Sequence, residues 1–537
     1  MISSQLKTNL YLQLIALMVV VITSCSKDDF NPDLDASDVW QPNIAFPLAY
    51  SEIGIDDFAQ ANDSTTIIIT DNDQFCTLVY RNEVFDLRAD QLIQLPDQSV
   101  STAFSLNNSE ILTVNNSGQV NISQTRDLQF QVSQGIEIDS VLLKNSFLVI
   151  DYNSDFPMNS ELMITIPGLI KDNITFSQVI PLVYSGSAIS GQLTIPLHRY
   201  HMDLTKNGTT HNTLQILYDI TIQGNGTTAS PGNSIQCNAG FHSLEFQNLF
   251  GFTGQQNIAN IPDSVELSIF NNALGTGSFT VAEPLIRFDI SNSLGIPFNA
   301  RISQLTAINT SQSNFVVATG LPDPLPVFSP SVAQAGQTLY STFTLDNSNS
   351  NITSLIDEQP GFIVVQSQIT TNPAGHAINF MTDSSRLAMK IHVELPLYGT
   401  ASDFKIRDTL PFNYNDLENV EQLTLRLNIE NWFPLDADIQ LIFTDENYNG
   451  LDSLFVRGEV LIPSGIIPAN SERVMIPGKK IQDHTFDQSR IMRLLNAKNI
   501  LIEAGASTYQ NGSTNVKIYN DYKLKIKIGA IAKTRIQ

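Results

Sequence analysis

The sequence predicts an all-β protein built of tandem β-sandwich-like domains, with one short helix near the C-terminus. Runs in which apolar and polar residues alternate recur along the chain, for example Leu214–Tyr218 and Leu524–Ile528. Such alternation is typical of strands with one buried face. Breaks rich in Asn, Gly, Asp and Pro separate these runs, as in sandwiches and barrels. The 537 residues are enough for three or four domains at roughly 150 residues each.

The composition bounds the function. Charged residues make up 15% of the chain, and 53 Asp and Glu against 29 Lys and Arg give a net charge of -24. A hydrophobic content of 42% is too high for a disordered chain. The acidity excludes general affinity for nucleic acid or anionic lipid, because the phosphate interaction would be repulsive. Because so few residues are charged, amide and hydroxyl side chains must cover much of the surface.

Residues 1–24 have the form of a signal peptide. Lys7 precedes an apolar stretch from Leu10 to Ile22, which is shorter than the roughly 20 residues that span a bilayer. The stretch ends in Ile22-Thr23-Ser24-Cys25, which resembles the bacterial lipobox. That resemblance implies that Cys25 carries fatty-acyl chains such as palmitate and anchors the protein to a membrane. An ordinary secretory signal followed by a chance cysteine is the alternative.

Two further segments resemble those of Bacteroidota lipoproteins. Ser26-Lys27-Asp28-Asp29 looks like the acidic signal that sends such lipoproteins to the outer face of the outer membrane. The segments 40–48 and 55–58 look like the opening of large uncharacterised members of that group. The resemblance implies a lipid-anchored outer-membrane protein facing the cell exterior, whereas a solvated tether is the plainer interpretation of the acidic run.

The chain is expected to divide into six consecutive segments. They are the signal peptide 1–24, a lipidated tether 25–38, and β domains at 39–125, 126–240, 241–380 and 381–537. The expected helix runs over Phe486–Ala497, with Thr485 as a possible cap and Gln488 closing a capping box.

A weak internal repeat connects the predicted domains. In segments 148–160, 286–300 and 425–437 an alternating strand meets Asn or Asp and then an apolar-Pro-apolar triplet, with Pro157, Pro297 and Pro434 about 140 residues apart. Because proline cannot donate to a strand ladder, the pattern predicts a kink or a strand that switches sheets. Chance similarity between β-corners is the alternative. The element resembles the strand–Asn–Pro corner of late-embryogenesis-abundant-type β-sandwiches, which implies fibronectin-like binding or protective domains without catalysis.

Few residues suggest chemistry, and no cofactor or metal is expected. Cys76 and Cys237 could pair in an oxidising compartment or remain two buried thiols. His198 and His201 have a spacing that would suit a metal on a helix, but the preceding strand pattern favours a loop or strand end.

A calcium loop is the alternative at Asp445–Gly450. The residue at its twelfth position is Val456 rather than Glu, and Asn449-Gly450 favours a hairpin turn.

Four hydroxyl residues lie in triplets that resemble the Bacteroidota O-glycosylation sequence. They are Ser140, Ser264, Thr409 and Ser453.

The last strand presents lysines on one side. Lys523, Lys525 and Lys527 alternate with Leu524, Ile526 and Ile528. Such lysines most often protect an edge strand from aggregation. A contact with lipopolysaccharide phosphate or with an acidic partner is the alternative.

We expect a non-catalytic binding or scaffold subunit of an outer-membrane protein complex, with a β-barrel as its partner and no nucleic acid. A glycan-binding surface lipoprotein is the first alternative, although Trp40 and Trp432 lie in corner motifs that look structural. A glycoside hydrolase is the second, and it would need two carboxylates about 5–10 Å apart.

Overall fold

The computed structural model describes residues 43–55, 67–133, 135–271, 277–309, 314–402, 404–412, 420–455 and 461–534. The fold is all-β, as predicted, with antiparallel sheets packed as sandwiches. The predicted signal peptide, Cys25 and the tether 25–38 lie outside the described residues. Within the described ranges, no helix is long and apolar enough to cross a membrane.

The strands follow one another in four stretches of chain. The first stretch holds β1 (Asn43–Gly54), β2 (Ile67–Thr70) and β3 (Cys76–Arg88). The second holds β4 (Gln98–Ser105), β5 (Gln119–Gln129), β6 (Glu137–Leu143), β7 (Phe147–Ser154), β8 (Ser160–Lys171), β9 (Ile174–Leu182), β10 (Ile189–Pro196), β11 (His201–Asp203), β12 (Thr213–Gln223), β13 (Ser234–His242) and β14 (Phe246–Phe252). The third holds β15 (Asn257–Glu266), β16 (Ser278–Val281), β17 (Leu285–Asn292), β18 (Phe298–Asn309), β19 (Asn314–Val317), β20 (Leu339–Leu345), β21 (Phe362–Thr371), β22 (Asn379–Thr382), β23 (Arg386–Pro396) and β24 (Tyr398–Ser402). The fourth holds β25 (Phe404–Pro411), β26 (Val420–Asn431), β27 (Leu435–Thr444), β28 (Gly450–Ser453), β29 (Leu461–Ile462), β30 (Gly478–Phe486), β31 (Asn499–Thr508), β32 (Val516–Lys517) and β33 (Lys523–Thr534).

Of the 33 described strands, 24 form three sandwiches that share one plan of eight strands. Unit A consists of β4, β5, β7, β8, β9, β10, β12 and β13; unit B of β3, β15, β17, β18, β19, β20, β21 and β23; and unit C of β1, β25, β26, β27, β28, β30, β31 and β33. Numbering the strands 1 to 8 within a unit, the front sheet has the order 6-3-8-1 and the back sheet the order 5-4-7-2 in all three. Pairing of 1 with 8, 2 with 7, 3 with 6 and 4 with 5 is the wrapping of a jelly roll.

The units are nested rather than tandem. Between its first strand β1 and its second strand β25, unit C is interrupted by all of unit B. Unit B is interrupted in the same way, between β3 and β15, by unit A. The units therefore do not coincide with the contiguous ranges 39–125, 126–240, 241–380 and 381–537, because strands far apart in sequence pair with each other. β1, for instance, pairs with β33 from Asn43↔Lys533 to Gly54↔Lys523.

The repeated proline corner carries the chain from the front sheet to the back sheet of each unit, as the sequence predicted. It joins β7 to β8, β17 to β18 and β26 to β27. The last residue of the first strand is a buried polar residue whose side chain accepts a hydrogen bond from the backbone N–H two residues later. These pairs are Ser154 with Phe156 at 3.4 Å, Asn292 with Leu294 at 2.9 Å and Asn431 with Phe433 at 2.9 Å. Chance similarity is excluded, since all three copies occupy one topological position.

The cores lie between the two sheets of each unit. On β12, for example, alternate side chains from Leu214 to Ile222 are at most 1% exposed. Burial of each such side chain stabilises the fold by up to about 1.5–3 kcal/mol.

The helices are short. They are α1 (Ala89–Leu92), α2 (Asn108–Asn115), α3 (Ser268–Asn271), α4 (Ile352–Asp357), α5 (Gln488–Leu494) and α6 (Tyr509–Gly512), with a 3-10 turn at Val332–Gln334. The predicted C-terminal helix is α5, but its predicted cap is wrong. Asp487 caps it by accepting from the Arg490 N–H at 3.0 Å, because Thr485 belongs to β30 and pairs there with Thr424. The other helices were not predicted.

Candidate functional site

The outward faces of the three front sheets occupy the same position in each unit, and they differ in chemistry. In each unit, the strands at positions 6, 3, 8 and 1 turn alternate side chains away from the core. We call these surfaces the neutral face (unit A, on β10, β7, β13 and β4), the ion-pair face (unit B, on β20, β17, β23 and β3) and the lysine face (unit C, on β30, β26, β33 and β1).

The neutral face consists mainly of amides and hydroxyls. One row across the strands is Gln192, Asp151, Asn238 and Ser101. Gln192 Nε2 donates to Asp151 Oδ1 at 2.7 Å, and Ser101 Oγ donates to Asn238 Oδ1 at 2.9 Å. These bonds hold the side chains in place at the surface. The side chain of Phe147, 41% exposed, ends the face.

The ion-pair face is a network of charges. Arg287 Nη1 lies 3.3 Å from Glu394 Oε1 and Arg287 Nε 3.4 Å from Asp289 Oδ2. His392 Nε2 lies 3.1 Å from the same Asp289 oxygen. Burial lowers the pKa of His392, and the charges of Arg287 and Arg81 lower it too, against the opposing effect of Asp289. The imidazole is therefore neutral at physiological pH and holds the sheet surface without adding charge.

The lysine face confirms that Lys523, Lys525 and Lys527 lie on one side of their strand, opposite side chains that are at most 8% exposed. The edge-strand explanation is wrong, however. β33 lies between β1 and β26, so its ladder is paired on both sides and needs no protection. The N-terminal strand, far away in sequence, supplies the pairing that sequence patterns could not reveal.

Each lysine of this face has a different neighbour. Lys525 Nζ lies 3.5 Å from Glu52 Oε1. Lys527 Nζ lies 5.9 Å from the centroid of the Tyr50 ring, within the range of a cation–π contact. Lys523 lies against Gly54, its register partner on β1.

The four predicted glycosylation residues are not brought together. Ser140 is half-buried on β6, between β11 and β14. Ser264 is exposed on β15, beside a depression of about 170 Å³ that Tyr80 and Glu266 help to line. Thr409 is exposed on β25, and Ser453 is half-buried at the end of β28. Their modification stays a prediction.

Cys76 and Cys237 do not form a disulfide; both are buried, one in unit B and the other in unit A. Burial, with a smaller effect from the Asp151 charge, raises the pKa of the Cys237 thiol to about 12. Such a thiol is unreactive at physiological pH.

The candidate metal site at His198 and the candidate calcium loop at Asp445–Gly450 make contacts that hold the backbone of the described residues. His198 Nδ1 lies 2.7 Å from the Lys144 carbonyl oxygen, and no group of three or more potential metal ligands occurs in the ranges that the structure describes. The Asp445–Gly450 segment is the turn of the β27–β28 hairpin, as predicted, and Asp445 Oδ1 accepts the N–H groups of Asn447 and Asn449 at 2.9 Å each.

Sequence reasoning missed two clusters at the junctions between units. Where units A and B meet, Glu137 Oε2 lies 3.0 Å from His376 Nε2 and 3.7 Å from His211 Nε2. Where units B and C meet, the Arg473 guanidinium stacks 4.1 Å from the Tyr519 ring and donates to the Asp73 carbonyl oxygen at 2.5 Å. Glu137 and His376 are 239 residues apart, and Arg473 and Asp73 are 400 residues apart, so no local pattern pointed to these contacts.

No family model matches the sequence, and no curated protein matches it. Among solved structures, the chain is similar to a protein from Parabacteroides distasonis inferred to be secreted, with a TM-score of 0.29 and 11% identity, covering 53% of this chain and 89% of that one. It is also similar to the structure of infectious bursal disease virus Gx strain, with a TM-score of 0.15 and 8% identity, covering 84% and 82% of the two chains. A third structure, of an archaeal virus with a triple jelly roll fold, gives a TM-score of 0.11 and 10% identity, covering 82% and 98%. TM-scores this low carry no argument about fold or function.

Proposed function

We propose that this protein is an outer-membrane lipoprotein, anchored through Cys25 and facing the cell exterior, that acts as a non-catalytic binding or scaffold subunit of an outer-membrane protein complex. The observation that carries the proposal is the presence of three broad sheet faces of different chemistry on one nested chain. Sheet faces that keep polar side chains fixed by hydrogen bonds are suited to docking another macromolecule.

The size of the faces supports a partner that contacts more than one unit. Four strands about 4.8 Å apart, with about eight residues of 3.3 Å each, give a face of roughly 500 Å². A stable protein–protein interface buries about 800 Å² on each partner. A partner of ordinary affinity would therefore cover two faces, or one face and a junction, and a large β-barrel protein with its surface loops is wide enough to do so.

Two sets of variants test the anchor and the location separately. Cys25→Ser should abolish labelling by radioactive palmitate and allow high salt to release the protein from the membrane fraction, whereas Cys237→Ser should leave labelling unchanged. The double variant Asp28→Ala, Asp29→Ala should keep the label but become resistant to protease added to intact cells. A wild-type chain that takes up no palmitate would refute the anchor.

The partner is tested by purification in mild detergent. The acylated chain should co-purify with a β-barrel protein at a fixed ratio that survives a second purification step. Recovery of the chain alone from cells that express it at its natural level would contradict the scaffold role.

A glycan-binding protein is the second candidate, and the neutral face favours it. Rows of amides and hydroxyls, with one exposed aromatic ring beside them, offer the hydrogen bonds and the stacking surface that sugars require. Asn238→Ala together with Asn153→Ala should then abolish binding on a glycan array, while Asn428→Ala on unit C should not. An array without any wild-type signal would remove this candidate.

A further inference from the structure

The lysine face carries charge of the opposite sign to that of the protein as a whole. Its outward positions carry six basic side chains: Arg426, Lys479, Lys523, Lys525, Lys527 and Lys533. The acidic side chains at outward positions are Glu52, Glu430 and Asp483. In a chain with a net charge of -24, this sheet surface is locally positive.

Three of the six basic groups are already neutralised by the acids. Arg426 makes two bonds to Asp483, at 2.7 and 2.6 Å. Lys479 lies 3.4 Å from Glu430, and Lys525 lies 3.5 Å from Glu52.

The other three, Lys523, Lys527 and Lys533, form no ion pair with any described residue. They lie on one strand, β33, at the centre of the sheet, and their charge is available to an anion outside the protein.

The row through Lys527 adds apolar contact groups. It runs from Tyr50 through Lys527 and Asn428 to Ile481. The side chains of Tyr50 and Ile481 are 56% and 66% exposed. Tyrosine is enriched where proteins meet the headgroup region of a bilayer, and lysine is attracted to an anionic membrane surface.

The position of this face in the chain brings it close to the proposed anchor. β1 begins at Asn43, whose register partner is Lys533. Cys25 precedes Asn43 by 18 residues, which span at most about 60 Å even when fully extended. At physiological salt the Debye length is about 8 Å, so acids on other parts of the protein are screened when the face touches a surface.

We propose that the lysine face docks on a membrane surface rich in lipid phosphate, with Lys523, Lys527 and Lys533 contacting the headgroup phosphates and Tyr50 and Ile481 entering the headgroup region. The inference rests on the proposed anchoring through Cys25, which keeps the face near the lipid. Docking would fix the orientation of unit C and leave the acidic remainder of the protein farther from the lipid phosphates.

The test uses the full chain with Cys25→Ser, so that acyl chains cannot cause binding. Vesicles of phosphatidylcholine with phosphatidic acid, whose headgroup is a phosphate monoester, should bind the protein, and vesicles of phosphatidylcholine alone should not. The triple variant Lys523→Gln, Lys527→Gln, Lys533→Gln should bind about 100-fold more weakly, since each lysine near an anionic surface contributes roughly fivefold. The matched control Lys171→Gln, Lys206→Gln, Lys498→Gln changes the net charge equally but lies off the face, so it should bind like the parent chain. The triple arginine variant keeps the charge and should retain binding, and equal thermal unfolding shows that each variant is folded.

Three results would overturn the inference. The first is that the parent chain does not bind phosphatidic acid vesicles. The second is that the lysine control variant loses as much binding as the glutamine variant on the lysine face. The third is that an excess of inorganic phosphate removes the protein from the vesicles at constant ionic strength, which would indicate a site for free phosphate. Failure of the anchor is measured separately, as missing palmitate on Cys25, so the two claims can fail independently.

Discussion

The buried asparagine of the proline corner offers the sharpest test of how this fold is held together. Asn431 is 2% exposed and its side chain makes three hydrogen bonds. Its Nδ2 donates to the carbonyl oxygens of Leu435 at 2.7 Å and Pro463 at 3.2 Å, and its Oδ1 accepts the Phe433 N–H at 2.9 Å. Asn431→Ala removes the side-chain partner of all three backbone groups at a site that water cannot reach.

The magnitude follows from counting these bonds. Each buried backbone group left without a partner costs about 1–3 kcal/mol, and relaxation recovers part of this, so Asn431→Ala should destabilise unit C by about 3–5 kcal/mol. Asn292→Ala in unit B should cost a similar amount, because Asn292 Nδ2 bonds the Phe328 carbonyl and Ser329 Oγ while its Oδ1 accepts the Leu294 N–H. Ser154→Ala in unit A removes one bond of 3.4 Å and should cost less than about 1 kcal/mol.

The assay must report on each unit, because three sandwiches need not unfold in one transition. Hydrogen exchange followed by mass spectrometry measures the opening free energy in peptides from β26–β27, β17–β18 and β7–β8 separately. Asn428→Ala, on an exposed position of the same β26 strand, is the control and should change stability by less than about 0.5 kcal/mol. If Ser154→Ala costs as much as Asn431→Ala, or if the control does, then the side-chain bonds do not hold the corners.

Three further predictions concern single groups. Burial alone would raise the pKa of Asp452, but hydrogen bonds from Arg490 and the Ser453 N–H and the charges of Arg490 and Arg493 bring it below the ordinary value. The ionised Asp452 therefore contributes its full stabilisation above about pH 4 and loses it as the pH falls further. The difference in unfolding free energy between wild type and Asp452→Asn, measured by urea titration, should close at low pH, and a difference that widens would refute this. Cys237, whose thiol pKa burial raises to about 12, should resist iodoacetamide at pH 8 until the protein is unfolded, as measured by intact mass; rapid labelling of the native chain would contradict the burial. Arg473→Ala should speed hydrogen exchange in the β2–β3 turn, because the Arg473 guanidinium donates a hydrogen bond to the Asp73 carbonyl oxygen there. The control Arg493→Ala should leave exchange in that turn unchanged. Equal exchange in wild type and Arg473→Ala would show that this contact does not hold the junction between units B and C.

Local patterns predicted the parts of this fold that depend on neighbours in sequence. The alternation of Lys and Ile on β33 predicted which side is buried, and Pro157, Pro297 and Pro434 predicted three changes of sheet. Both inferences use rules that act within one strand or one turn.

What the sequence could not reveal depends on the choice of distant partners. Nothing in residues 43–54 indicates that they pair with 523–534, and so the lysines looked like guards of an edge. The cap of α5 was misplaced for a related reason. Thr485 and Asp487 are both good cap residues, and pairing of β30 with β26 decides between them by claiming Thr485 for a strand. The Glu137 and His376 contact could not be foreseen at all, since it joins two units.

The nested order of the units sets an order of assembly. Unit A is complete once residue 242 has been synthesised or has crossed a membrane. Unit B needs the chain up to residue 396, and unit C is complete only when β33 has followed. Each finished inner unit brings the two halves of the next one close together, which reduces the loop that the outer strands must close. A chain delivered from its N-terminus therefore matures from the inside outward. The sheet beside the proposed lipid tether is the last to form, and a chain that stops before residue 523 leaves β1 without its partner.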